Sequence, residues 1–147
     1  MKPSIIEHDF SAEYTDPELG YCGWYNSFWG TGIRVKSQQF RENTIIARMR
    51  GKKNEIPELL LQNKVYLQEQ FDNWWPQLEE RIIGIIRKRR LDYPGELKIK
   101  EFSIGFKKEL ISKGGRWNFE ITTEPFLVFE GRMDKLTCTK LSRLNVH

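Results

Sequence analysis

Alanine, cysteine and histidine each occur only twice in the 147 residues, and no long apolar run is present. The two cysteines, Cys22 and Cys138, lie near opposite ends of the chain with no CxxC or Cys/His spacing around either. That excludes a disulfide-dense scaffold and a zinc-ribbon pattern, and both are expected as reduced, partly buried thiols. His8 and His147 have no partner at helical or turn spacing, and in a strand His8 points away from its neighbours Glu7 and Asp9. Neither a metal site nor a histidine-based catalytic site is expected. GxSxG and GxxxxGK[ST] are absent, and Gly30-Thr31-Gly32 lacks the third glycine and the following helix of a phosphate loop. The expectation is a protein without enzymatic activity or cofactor. No stretch reaches the ~18 to 20 apolar residues of a membrane span, and Met1 to Phe10 lacks the apolar segment of a signal peptide, so a soluble, cytoplasmic protein with no membrane partner is expected.

The chain is rich in bulky residues. Phe, Trp and Tyr make up 13% of it, against two alanines, and this filling suits sheets better than tight helix bundles. The length fits one domain over 1–147. Lys and Arg exceed Asp and Glu by 24 to 20, a net charge of +4. By segment the charge alternates: −4 over 1–30, +5 over 31–55, −4 over 56–80, +5 over 81–100 and +2 over 101–147. Such alternation is weak support for a polyanionic partner.

The first third reads as strands. Ile5 to Phe10 is a short one, and Asp16 to Gly20 is a turn built on Pro17 and Gly20. Tyr21 to Trp29 and Ile33 to Phe40 flank Gly30-Thr31-Gly32, read as the hairpin connection. Arg41-Glu42-Asn43 is a turn into a strand over Thr44 to Met49. The middle reads as helical. Leu60, Leu61, Val65, Leu67 and Phe71 recur at spacings near three and four, and Pro57 suits a first turn. Pro76 predicts a break at Trp74-Trp75-Pro76, with a second helix over Gln77 to Arg89. Leu91 to Gly95 ends the region. The last third returns to strands. Leu97 to Phe106 changes parity and requires a bulge near Lys100-Glu101. Trp117, Phe119 and Ile121 alternate with polar residues, Phe126 to Phe129 reads as a strand buried on both faces, and Leu136 to Leu141 follows a turn at Gly131. The order predicts an α+β fold: a mainly antiparallel sheet with two central helices packed on one face.

This arrangement, with the runs Gly115-Arg116-Trp117-Asn118-Phe119-Glu120-Ile121 and Phe126-Leu127-Val128-Phe129-Glu130-Gly131, resembles small bacterial α+β domains of uncharacterised function, some of them similar to immunity proteins that neutralise toxins. The resemblance implies a noncatalytic, protein-binding role.

Two sets of residues compete as contact surfaces. Tyr21 to Trp29 holds five aromatics in nine residues, and one strand there would put Trp24 and Trp29 on opposite faces. Adjacent Trp74 and Trp75 cannot both face a single core, so one of them is expected to face a partner. Trp24, Trp29, Trp74 and Trp75 are therefore the candidates for a protein partner. The alternative is nucleic acid, held by Arg48, Arg50, Lys52 and Lys53 together with Arg87, Lys88, Arg89 and Arg90, provided both clusters share a face. Against this, the second cluster falls in the last turn of a helix, where cations offset the macrodipole, just as Glu79 and Glu80 fall in its first turn.

Overall fold

The structure is a computed structural model that describes residues 3–41, 45–91, 95–124 and 126–144. Among the described residues nine strands form one sheet in which order along the chain is order in space. They are β1 (Ile6–Glu7), β2 (Ser11–Asp16), β3 (Gly20–Tyr25), β4 (Phe28–Ile33), β5 (Ile45–Arg50), β6 (Lys98–Phe106), β7 (Arg116–Glu124), β8 (Val128–Asp134) and β9 (Thr137–Leu144). All neighbours pair antiparallel except β5 and β6, which are parallel. Parallel neighbours need a long crossover, and α1 (Glu58–Glu69) and α2 (Phe71–Lys88) lie between these two strands in the chain. The fold is α+β with a mostly antiparallel sheet.

The hairpin of β3 and β4 turns elsewhere than the glycines suggest. Asn26 and Ser27 form its two-residue loop with φ of 49° and 76°, and Tyr25 pairs with Phe28 across it. Two-residue hairpin loops need positive φ at both positions to match strand twist, and asparagine tolerates it well. Gly30, Thr31 and Gly32 therefore lie inside β4, and Ile33 ends it. Residues 34–39 are not strand, and Phe40 alone bridges to Ile99. Most of the turn expected at Arg41 to Asn43, and of that at Leu91 to Gly95, lies outside the described residues.

The helix boundary also moves. Gln70 separates α1 from α2, its carbonyl accepting the N–H of Asn73 and of Trp74, and Pro76 is the sixth residue of α2. Trp74 and Trp75 precede the proline on a continuous helix, and both are buried, at 0% and 3% exposure. Trp74 packs edge-on against Phe71, Phe102 and Trp117, and Trp75 against Phe40 and Phe102. Their indole N–H groups donate to the Leu67 carbonyl at 2.9 Å and to Gln39 Oε1 at 3.0 Å, so burial leaves no donor unsatisfied.

In the second half the register shifts between Ile99 and Glu101, where the change of parity requires a bulge. Trp117, Phe119 and Ile121 of β7 are buried. The run Phe126 to Phe129 is not strand throughout: Phe126 is exposed and β8 starts at Val128. Gly131 is not a turn either. It sits within β8 opposite Phe119, whose ring covers it, and the chain turns at Lys135, with φ of 53°. On β9, α2 side chains meet the strand's free edge. Gln77 accepts from the Cys138 N–H at 3.4 Å and donates to the Leu136 carbonyl, and Arg81 donates to the Cys138 carbonyl at 2.6 Å.

Candidate functional site

The hairpin register decides which aromatics face water. Trp24 and Trp29 are direct cross-strand partners and share a face, contrary to the parity of an unbroken strand. Trp29 is buried with its Nε1 donating to the Lys52 carbonyl, and Trp24 is half-buried with its Nε1 donating to the Gly51 carbonyl. With Trp74 and Trp75 also in the core, three of the four tryptophans proposed from sequence have no surface for a partner. The opposite face of the same hairpin carries Tyr21, Tyr25 and Phe28, at 52%, 70% and 37% exposure. These three belong to the aromatic cluster read from the sequence, and the displaced turn moves Phe28 to the face of Tyr21 and Tyr25.

The basic residues separate. Arg48 and Arg50 alternate with buried Ala47 and Met49 on β5, so they leave the sheet on the side of Tyr25 and Phe28. The Arg50 guanidinium lies 5.2 Å from the centre of the Phe28 ring, a cation–π contact. Lys53 is held by the carbonyls of His8 and Asp9, while Lys52 is exposed. Arg87, Lys88, Arg89 and Arg90 are exposed at the end of α2, in a Schellman cap: Leu91 N–H donates to the Ile86 carbonyl, and Arg90, with φ of 52°, donates to that of Arg87. The α2 rings pack on Phe102 and Trp117, which leave the sheet opposite to Arg48. The sheet therefore stands between the two clusters, and no patch of eight cations forms.

One row of outward positions crosses the whole sheet. Pairing runs from Ile6 through Glu13, Gly23, Gly30, Arg48, Gly105, Asn118 and Arg132 to Lys140. Over β3 to β5 an open cleft of about 410 Å³ is lined by Gly23, Tyr25, Asn26, Phe28, Gly30 and Arg48. A second, of about 310 Å³, lies by Asn118, Glu130, Arg132 and Lys140. Acids share the face: Glu13 belongs to the row, and Glu120 and Glu130 oppose one another just beside it. Glu13 accepts from the Tyr21 hydroxyl at 3.1 Å and pairs with His8 Nε2 at 2.9 Å. The His8 and then the Tyr21 hydrogen bond hold its carboxyl below the usual range.

Elsewhere the chemistry-bearing groups are muted by burial. Burial pushes the Cys22 thiol up to about 12, raises Cys138 and lowers Lys64 beside Cys22. An unfolded thiol ionises near 9.0, so the unfolded chain releases this proton first, and Cys22 makes stability fall as pH rises from about 9 toward 12. Denaturation followed at pH 8 and pH 11 is expected to show a smaller loss in Cys22→Ala than in the unchanged protein; equal losses would refute the assignment. Among the described residues there is no group of three or more His, Cys, Asp or Glu placed to hold a metal ion, and no helix is long and apolar enough to cross a membrane.

Comparison with family models, curated proteins and solved structures finds no match to this chain.

Proposed function

We propose that the protein is a noncatalytic binding module, soluble and acting in the cytoplasm, that seats a protein partner on the outward face of β3 to β5. The α2 rings pack on the opposite face, against Phe102 and Trp117. The observation that carries the reading is the grouping of Tyr21, Tyr25 and Phe28 with Arg48 and Arg50 on adjacent strands. Tyrosine, phenylalanine and arginine are the residue types enriched where proteins meet, and exposed apolar patches with a polar rim mark such surfaces. Toxin neutralisation, the role implied by the resemblance of the C-terminal motifs, is one function of this class. Glu13, Glu120 and Glu130 lie among the cations of the same face, and this mosaic suits a partner of mixed charge better than a uniform polyanion.

The test is capture by the immobilised chain from its native cell, with bound proteins identified. Tyr25→Ser with Phe28→Ser is expected to weaken capture about thirtyfold, the scale of losing a hot-spot aromatic pair. Replacing Arg87 through Arg90 by serine is expected to leave it unchanged. Equal capture by both variants would overturn the reading, as would recovery of nucleic acid that is lost steeply with added salt.

A further inference from the structure

Strand interiors are poor places for glycine, which packs nothing and loses more freedom on folding than other residues. Some glycines here are demanded by the fold. A Cβ at Gly115 would lie 2.7 Å from the Leu110 carbonyl oxygen, and one at Gly131 would lie 2.6 Å from the Phe119 ring. Four other strand glycines are not: Gly32, where the nearest atom would stand at 3.9 Å, and three that share one row. At Gly23 and Gly30 the nearest atoms would stand at 3.4 and 3.7 Å, ordinary contact distances, and at Gly105 nothing would lie within 4 Å. None of the three has a positive φ. Neither sterics nor backbone geometry inside the chain accounts for a missing side chain at any of them, and all three belong to the transverse row that includes Arg48.

Bare backbone on either side of one guanidinium lets something outside the chain come close. Arg48 has no carboxylate within ion-pairing distance among the described residues, whereas Arg50 next to it is engaged by the Phe28 ring. Tyr25 and Phe28 border the floor made by Gly23 and Gly30. An extended peptide presents main chain to such a floor and alternates its side chains, so a carboxylate can meet Arg48 while an apolar neighbour meets Tyr25 and Phe28. A nucleic-acid strand would carry its phosphates past Glu13 at one end and Glu120 and Glu130 at the other.

We propose that the glycine floor at Gly23, Gly30 and Gly105 receives an extended acidic segment of the protein partner, with a carboxylate of that segment paired to Arg48. The inference rests on the protein-binding reading above and adds the chemistry of the partner.

The experiment is an amide-resonance titration of the full chain with three probes: acetyl-Glu-Phe-Glu-Phe-Glu-amide, the same peptide with glutamine for glutamate, and decathymidylate. The acidic peptide is expected to shift the amides of Gly23, Gly30 and Gly105, and the glutamine peptide to bind about tenfold more weakly. Gly30→Val, whose Cβ would meet no atom closer than 3.7 Å, is expected to keep the native melting temperature and lose at least about tenfold in affinity, and Arg48→Gln to lose a similar factor. Binding by both variants at the unchanged affinity, equal binding of the two peptides, no shift at millimolar peptide, or tighter binding of decathymidylate at the same amides would each overturn the proposal. If Tyr25→Ser with Phe28→Ser still weakens capture in that event, the protein-binding reading stands and the glycine floor alone falls.

Discussion

Replacing Trp74 by alanine lowers the free energy of unfolding by about 3–5 kcal/mol, a large part of the roughly 5–15 kcal/mol that holds a domain of this kind together. The side chain is fully buried between Phe71, Phe102 and Trp117, and its removal opens a cavity among aromatic rings that cannot collapse into it. A second loss adds to the first. The Leu67 carbonyl lies in the last turn of α1, where carbonyls lack helical partners, and the Trp74 indole N–H satisfies it. Trp74→Phe keeps most of the packing and deletes this bond, so it is expected to cost less than alanine while still costing about 1 kcal/mol or more. Chemical denaturation of both variants measures the two contributions. An alanine variant within about 1 kcal/mol of the unchanged protein would contradict the burial described for Trp74.

Gly131→Ala is the other severe change. The added methyl enters the space of the Phe119 ring, 2.6 Å from Cζ, and also presses on the main-chain oxygen of Lys140. A ring can rotate away, but a strand paired across β8 and β9 cannot withdraw without giving up its ladder. The expected cost is about 3 kcal/mol or more, at the upper end for overpacking. Gly105→Ala is the control, since no atom would lie within 4 Å of its Cβ. It is expected to be neutral or to stabilise by up to about 1 kcal/mol, through a less flexible unfolded chain. Comparable destabilisation by the two alanines would refute the distinction between glycines that the fold needs and glycines that it does not.

The same distinction explains what could be read from the sequence. Local signals sufficed where one residue type decides the geometry. Pro17 and Gly20 mark the turn between β2 and β3, the parity change at Lys100-Glu101 marks the bulge, and strict alternation marks the strand around Trp117. They failed where two signals compete. Gly30-Thr31-Gly32 reads as the turn because glycine is the commoner source of positive φ, although the loop needs it at both positions and Asn26 and Ser27 supply it. That displacement inverts the parity of Phe28 and Trp29, exchanging an exposed ring for a buried one. The symmetric placement of Gly23 and Gly30 about Asn26-Ser27 is the signal that could have corrected it. Likewise the proline rule placed the helix break at Pro76, while tertiary packing of Phe71, Trp74 and Trp75 kept the helix intact through it. Arg48 and Arg50 were legible as cations, but their separation from Arg87 to Arg90 depends on which side of a sheet each occupies, and no local pattern encodes that.

The bonds from Gln77 and Arg81 to the start of β9 bear on how the protein behaves in company. An outer strand with free N–H and carbonyl groups is a template on which another chain can add a strand, leading to swapped or stacked assemblies. At Leu136 and Cys138 the amide of Gln77 offers one donor and one acceptor, imitating the neighbour that is missing, and Arg81 takes up a carbonyl as well. That stretch of β9 is closed to an incoming strand. Lengthening of the sheet is resisted at that stretch.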